Sequence, residues 1–130
     1  MTTVTEDGST YLLDRITSNT RPITHMAVGT GSNETGTAEE LGNLLYSGDD
    51  TLPNVRFVQQ DTETLEAIIA VTGGVQVDPG AEISEVGAFS GDPEDSTVDE
   101  TLVFIDGFSS VQVDPGHTEE FTIPIDVPIQ

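Results

Sequence analysis

A chain of 130 residues with 24 acidic side chains, three arginines and no lysine is poorly equipped to grip nucleic acid, because phosphate contacts need cations. The absence of cysteine excludes a disulfide framework and thiol catalysis, and no apolar run approaches the roughly 18–20 residues that span a bilayer. One domain with one core is the expectation at this length.

The formal net charge is −21. Spread over the roughly 6,600 Å² expected for this mass, it places uncompensated charges about 17–18 Å apart. The screening length is about 8 Å at physiological salt and about 3 Å at 1 M, so self-repulsion opposes the compact state in dilute buffer and fades in brine. Lysine-free acidity of this kind is the composition of a salt-adapted proteome, and an extreme halophile source is the expectation. An acidic extracellular or calcium-loaded module is the alternative. Hydrophobic content of 35% with 5% aromatics is low. The apolar residues nevertheless cluster in β-branched runs such as Ile68–Val71 and Ile123–Val127, which argues for a folded chain rather than a disordered one. The acidic, polar first residues argue against a secretory signal peptide.

In chain order, Met1–Gly8 reads as a mobile polar arm. Ser9 can cap a short helix to about Ser18, with Leu12, Leu13 and Ile16 on one face. Residues 1–20 are therefore expected as an arm with a short helix, and residues 21–130 as a single β-sandwich domain. Pro22 sets up an extended run, and Ile23–Val28 reads as a strand. Gly29–Gly36 is a loop by composition. Thr37 opens a predicted helix with Glu39 and Glu40 in its first turn, Leu41, Leu44 and Leu45 as its stripe, and Ser47-Gly48 as its stop. Beyond Pro53 the chain reads as strand: Val55–Val58, Leu65–Val71, a short Val75–Val77, Glu82–Phe89, Leu102–Phe108 and Phe121–Val127, with an acidic loop over Ser90–Glu100.

The strongest regularity is an internal echo. Val75-Gln76-Val77-Asp78-Pro79-Gly80 recurs as Val111-Gln112-Val113-Asp114-Pro115-Gly116. Each copy follows a strand led by Glu-Thr-Leu and precedes an acidic strand. Asp-Pro-Gly suits a tight turn, since proline presets φ and glycine accepts positive φ. The fold class expected is all-β: an antiparallel β-sandwich with two pseudo-repeated strand units, and one or two short helices in the N-terminal third.

Catalytic chemistry finds little purchase. His25 lies within a strand and His117 follows a turn, and neither is paired in the sequence with a nucleophile. Gly29-Thr30-Gly31 lacks the lysine of a P-loop and the third glycine of a dinucleotide fingerprint. Asp92-Pro93-Glu94-Asp95 with Asp99-Glu100 is dense in carboxylates but lacks an EF-hand frame, and reads as a solvated acidic loop. Asn33-Glu34-Thr35 is a glycosylation sequon. No catalytic residue, cofactor or metal site is expected.

Three segments carry a resemblance: Ile23-Thr24-His25-Met26-Ala27-Val28-Gly29-Thr30-Gly31, then Ala38-Glu39-Glu40-Leu41-Gly42-Asn43-Leu44-Leu45-Tyr46, then Ala81-Glu82-Ile83-Ser84-Glu85-Val86-Gly87-Ala88-Phe89. Their order resembles the N-terminal module of phage tail-collar fibre and baseplate-type proteins, which are structural proteins of tailed viruses. Tyr46-Ser47-Gly48 stands where that family carries a basic residue after the leucine segment. The resemblance implies a non-enzymatic virion protein, here of a tailed virus infecting a haloarchaeon. It would assemble as a homo-oligomer in the tail, baseplate or fibre-attachment region. Capsid-surface decoration or a turret in the same kind of virus is one alternative, and a halophilic cell-surface or secreted β-sandwich binding module another. The partners implied are further copies of the chain and neighbouring virion proteins, with host-surface contact as a further option and neither nucleic acid nor membrane as a direct partner. The N-terminal arm, the loop tips and the sheet edges are the contact elements expected. Arginines are the only side-chain cations able to bridge acidic subunits, so Arg21 and Arg56, with His25 and Tyr46, are the subunit-contact candidates.

Overall fold

The structure is a computed structural model of the chain, and it describes residues 2–5, 23–31, 40–52, 54–59, 64–95 and 100–126. Eight strands are described: β1 (Thr2–Val4), β2 (His25–Gly29), β3 (Leu44–Asp49), β4 (Val55–Gln59), β5 (Thr64–Thr72), β6 (Ala81–Ser90), β7 (Thr101–Val113) and β8 (Thr118–Asp126). They form two antiparallel sheets, one in the order β1-β7-β6-β2-β3 and the other β4-β5-β8. The sheets pack face to face as a β-sandwich. Among the described residues there is no helix.

Period-two alternation explains most of the packing, and one extra residue in β7 opposite Ala88 and Phe89 lets two neighbours there share a face. Met26 and Val28 of β2, Val86 and Ala88 of β6, and Val103 and Phe104 of β7 turn inward. They meet Val55 of β4, Ala67, Ile69 and Val71 of β5, and Phe121 and Ile123 of β8. Phe108 and Phe121 stack across this core with ring centroids 5.5 Å apart. The larger sheet is buried on its other face as well, where Ala27, Leu41, Phe89, Leu102 and Ile105 form a second cluster.

That two-faced burial corrects one expectation. Leu41, Leu44 and Leu45 fit a helical stripe, yet Leu44 and Leu45 open β3, and Ser47 and Gly48 sit within it rather than ending a helix. A register shift opposite Val28 and Gly29 lets Leu45 join the main core and Leu44 the outer cluster. Adjacent leucines are helical neighbours only when a single face is apolar; here both faces of the sheet are. The predicted helix over Ser9–Ser18 lies outside the described residues. Thr2–Val4, read as part of a mobile arm, pairs with Phe104–Asp106 of β7 as the edge strand of the larger sheet. The reason is a free β7 edge, which a short threonine-rich segment suits well. Thr5 extends the pairing, donating its N–H to the Val103 carbonyl, and is fully buried.

The echo resolves into two crossings between the sheets. β5 leads through Asp78-Pro79-Gly80 into β6, and β7 leads through Asp114-Pro115-Gly116 into β8. Each crossing therefore joins the two sheets in opposite senses, while β5 pairs with β8 and β6 with β7. In each turn the aspartate carbonyl accepts the N–H three residues on, at 3.0 Å in both. Gly80 and Gly116 take φ of +82° and +75°, as a type II turn requires. The turns lie side by side across Gly73, which bridges to Val77 and to Pro115. The copies differ upstream. Val111–Val113 ends β7, whereas Val75-Gln76 is a turn and only Val77 pairs, so the short strand expected at Val75–Val77 does not form. The Gly74 N–H closes onto the Val77 carbonyl at 2.7 Å, which folds those residues back on themselves.

Candidate functional site

The three segments that carry the resemblance come together. Two of them are β2 and β6, the third contributes β3, and the strands are neighbours in the order β6-β2-β3. At the Gly29 end of β2 they interlock around Glu85. This side chain is fully buried, and its Oε1 accepts the Asn43 N–H at 3.2 Å. Its Oε2 takes no hydrogen bond. Gly29, Gly31 and Gly42 close around it: a Cβ on Gly31 would stand 2.9 Å from Glu85 Oε1 and 2.9 Å from the Gly42 Cα, and one on Gly29 would strike the Asn43 carbonyl.

The Gly29-Thr30-Gly31 loop is thereby explained without a phosphate. Its amides are already engaged, Thr30 N–H by the Asn43 carbonyl at 2.9 Å and Gly31 N–H by Ser84 Oγ at 2.9 Å. The Ser84 hydroxyl donates back to the Gly31 carbonyl at 3.0 Å, and Asn43 Nδ2 donates to Thr30 Oγ1 at 2.9 Å. The glycines serve close backbone approach around a buried carboxylate.

At the opposite end of β2, His25 sits in a polar clamp. The Thr24 hydroxyl accepts the Gly91 N–H at 2.9 Å and lies 2.8 Å from His25 Nδ1. The other ring nitrogen, Nε2, faces Asp92 Oδ2 at 3.9 Å. On β3 the Ser47 hydroxyl bonds Glu94 Oε2 at 2.7 Å and Asp92 Oδ1 at 3.1 Å, and the Ser47 N–H bonds the same Glu94 oxygen at 3.1 Å. The first half of the acidic segment, read from sequence as a solvated loop, is thus anchored on β2 and β3. Among the described residues no hydrogen bond joins His25 to Ser47, so the clamp lacks the base-to-nucleophile contact of a hydrolase. Among the described residues, three or more carboxylate or imidazole groups do not converge there in a way that could hold a metal ion.

The other candidates are dispersed. Arg56 pairs with Glu120 at 2.9 Å on the outer face of the smaller sheet, each side chain half exposed. Such a pair is worth about 0–1 kcal/mol. Tyr46 packs partly buried against the main core, and its hydroxyl accepts Asn54 Nδ2 at 3.1 Å. Arg15, Arg21 and the Asn33 sequon lie outside the described residues. His117 is exposed in its turn. Sequence reasoning missed Val75, which at 72% is the most exposed large apolar side chain among the described residues. It borders a depression of about 380 Å³ shared with Leu45, Pro79 and Ala81. Its counterpart Val111 packs on the core, so the identity of the two hexapeptides concealed the difference. No protein-family model and no curated protein matches the chain.

Proposed function

We propose that this protein is a non-enzymatic structural component of a halophilic tailed virus. It works as a homo-oligomer in the tail, baseplate or fibre-attachment region, with capsid-surface decoration as the variant reading. The observation that supports this most is the convergence of the three resembling segments. Separated by up to 50 residues along the chain, they form adjacent strands β6, β2 and β3, knitted by Ser84, Asn43 and the buried Glu85. A resemblance arising from unrelated strand-like stretches gives no reason for such interlocking. The two polar clusters serve architecture: one locks a loop onto the sheet, and the other pins the acidic segment to β2 and β3.

In this reading cohesion between like-charged copies comes from backbone pairing at sheet edges and from apolar patches, with screening salt holding repulsion down. The test is fractionation of a producing culture on a density gradient in about 3 M NaCl, where screening is strong, with antibody detection of the chain. Migration with virus particles at fixed stoichiometry is the expected result. Recovery in the cell envelope or the free supernatant, with none in particles, would contradict the proposal and favour a secreted or surface-bound module.

A further inference from the structure

We propose that β1 is exchanged between copies, so that residues 2–5 of one chain complete the β7 edge of the next. The proposal rests on the assembly reading above and names its contact. β1 pairs with β7 over only three register positions, Thr2 with Asp106, Thr3 with Ile105 and Val4 with Phe104, whereas β7 is held on its other side along most of its length by β6. Thr5 completes the attachment through its N–H to the Val103 carbonyl and its hydroxyl to the Leu102 carbonyl.

Nineteen residues separate Thr5 from the start of β2, enough chain to reach at most about 60 Å. A domain of this size is only about 35 Å across, so a neighbour's β7 edge lies within reach. Exchange preserves every contact that β1 makes within its own chain, which makes it a low-cost route to assembly. Charge favours this particular element. Thr2-Thr3-Val4-Thr5 carries no ionisable side chain, in a sequence whose first acidic residue is Glu6 and whose net charge is −21. A contact made by backbone hydrogen bonds from an uncharged segment is the kind that like-charged copies form most readily. Exchange is expected where neighbours are held side by side in a particle, which brings a second β7 edge within that reach.

The alternation of an antiparallel ladder supplies the probe. Thr5 donates to Val103 directly opposite, so that pair is hydrogen-bonded, and three steps along the same register Thr2–Asp106 is a non-hydrogen-bonded pair. Its Cα atoms stand about 4.5 Å apart, within disulfide range. The natural chain has no cysteine to interfere. The full chain carrying Thr2→Cys and Asp106→Cys is oxidised in about 3 M NaCl. Its covalent size is read on non-reducing gels and its native mass by light scattering. Chains linked to one another, up to the size of the native particle, are expected. A disulfide closed within single chains of a multi-copy particle would overturn the exchange and leave the assembly reading standing. The same closed disulfide in a monomer would overturn both. Should the double variant fail to fold, deletion of residues 1–5 takes its place: fall of the particle to single copies with the β-sheet circular dichroism retained is expected, and a particle of unchanged size overturns the proposal.

Discussion

Asp49 closes the corner after β3 with its own side chain, accepting hydrogen bonds from the N–H and hydroxyl of Thr51. The Thr51 hydroxyl is the main cause that holds its carboxyl below the ordinary aspartate value of 3.8, and the charge of His25 when protonated adds a smaller lowering. A depressed carboxyl stabilises the fold fully above that ordinary value, and the contribution is lost as pH falls through the lowered one. A proton titration followed by NMR should therefore find Asp49 midway below 3.8, and Thr51→Val should bring it back up; a midpoint at or above that value in the natural chain would refute the corner geometry. At the other polar cluster, Ser47→Ala removes the hydroxyl shared by Asp92 and Glu94. The expected loss is about 0.5–1.5 kcal/mol, with faster hydrogen exchange at the Gly91 and Glu94 amides. Two glycine substitutions separate crowding from conformation. Gly116→Ala meets open space at φ +75° and should cost about 1–2 kcal/mol from backbone strain alone. Gly31→Ala keeps an ordinary φ but drives a methyl to 2.9 Å from Glu85 Oε1, an overpacking cost of about 1–3 kcal/mol. Denaturant unfolding of both variants checks the pair, and Glu85→Ala should relieve part of the second loss and none of the first.

At the scale of elements, six of the strands beyond Ile23 are legible because their apolar runs are β-branched and bounded by turn residues: Ile68–Val71 in β5 and Phe121–Ile123 in β8 are the clearest. The Asp-Pro-Gly turns are legible for a local reason, since proline at the second position and glycine at the third leave few conformations. What they do is not local. That both turns cross between sheets and meet at Gly73 depends on pairing between β5 and β8 and between β6 and β7, which are far apart in sequence. β3 escaped for the same kind of reason. Leu44 and Leu45 serve opposite faces of a sheet buried on both, and nothing within Leu41–Gly48 announces the second buried face. The site was legible only as three separate strings. The role of Glu85 was hidden because a glutamate between Ser84 and Val86 reads as the solvent side of a half-buried strand, whereas the register places it against Gly29 and under the Gly31 and Gly42 backbones.

For the whole molecule, 21 net charges over 7049 Å² leave about 340 Å² each, so the surface repels itself wherever screening is weak. The anchored acidic segment concentrates that repulsion, because Asp92 and Glu94 share one hydroxyl with His25 the nearby cation when protonated. The sandwich supplies cohesion from a main core between the sheets and a second cluster outside the larger one, neither of which depends on charge. Folding and assembly are thus expected to share a salt dependence that reflects the surface rather than the core. Light scattering and far-UV circular dichroism of the isolated protein, followed together from about 3 M down to about 0.05 M NaCl, test this most directly. A discrete oligomer with full β-sheet signal in strong salt, dissociating or losing structure below roughly 0.5 M, is the predicted result; a folded monomer at every salt concentration would contradict it.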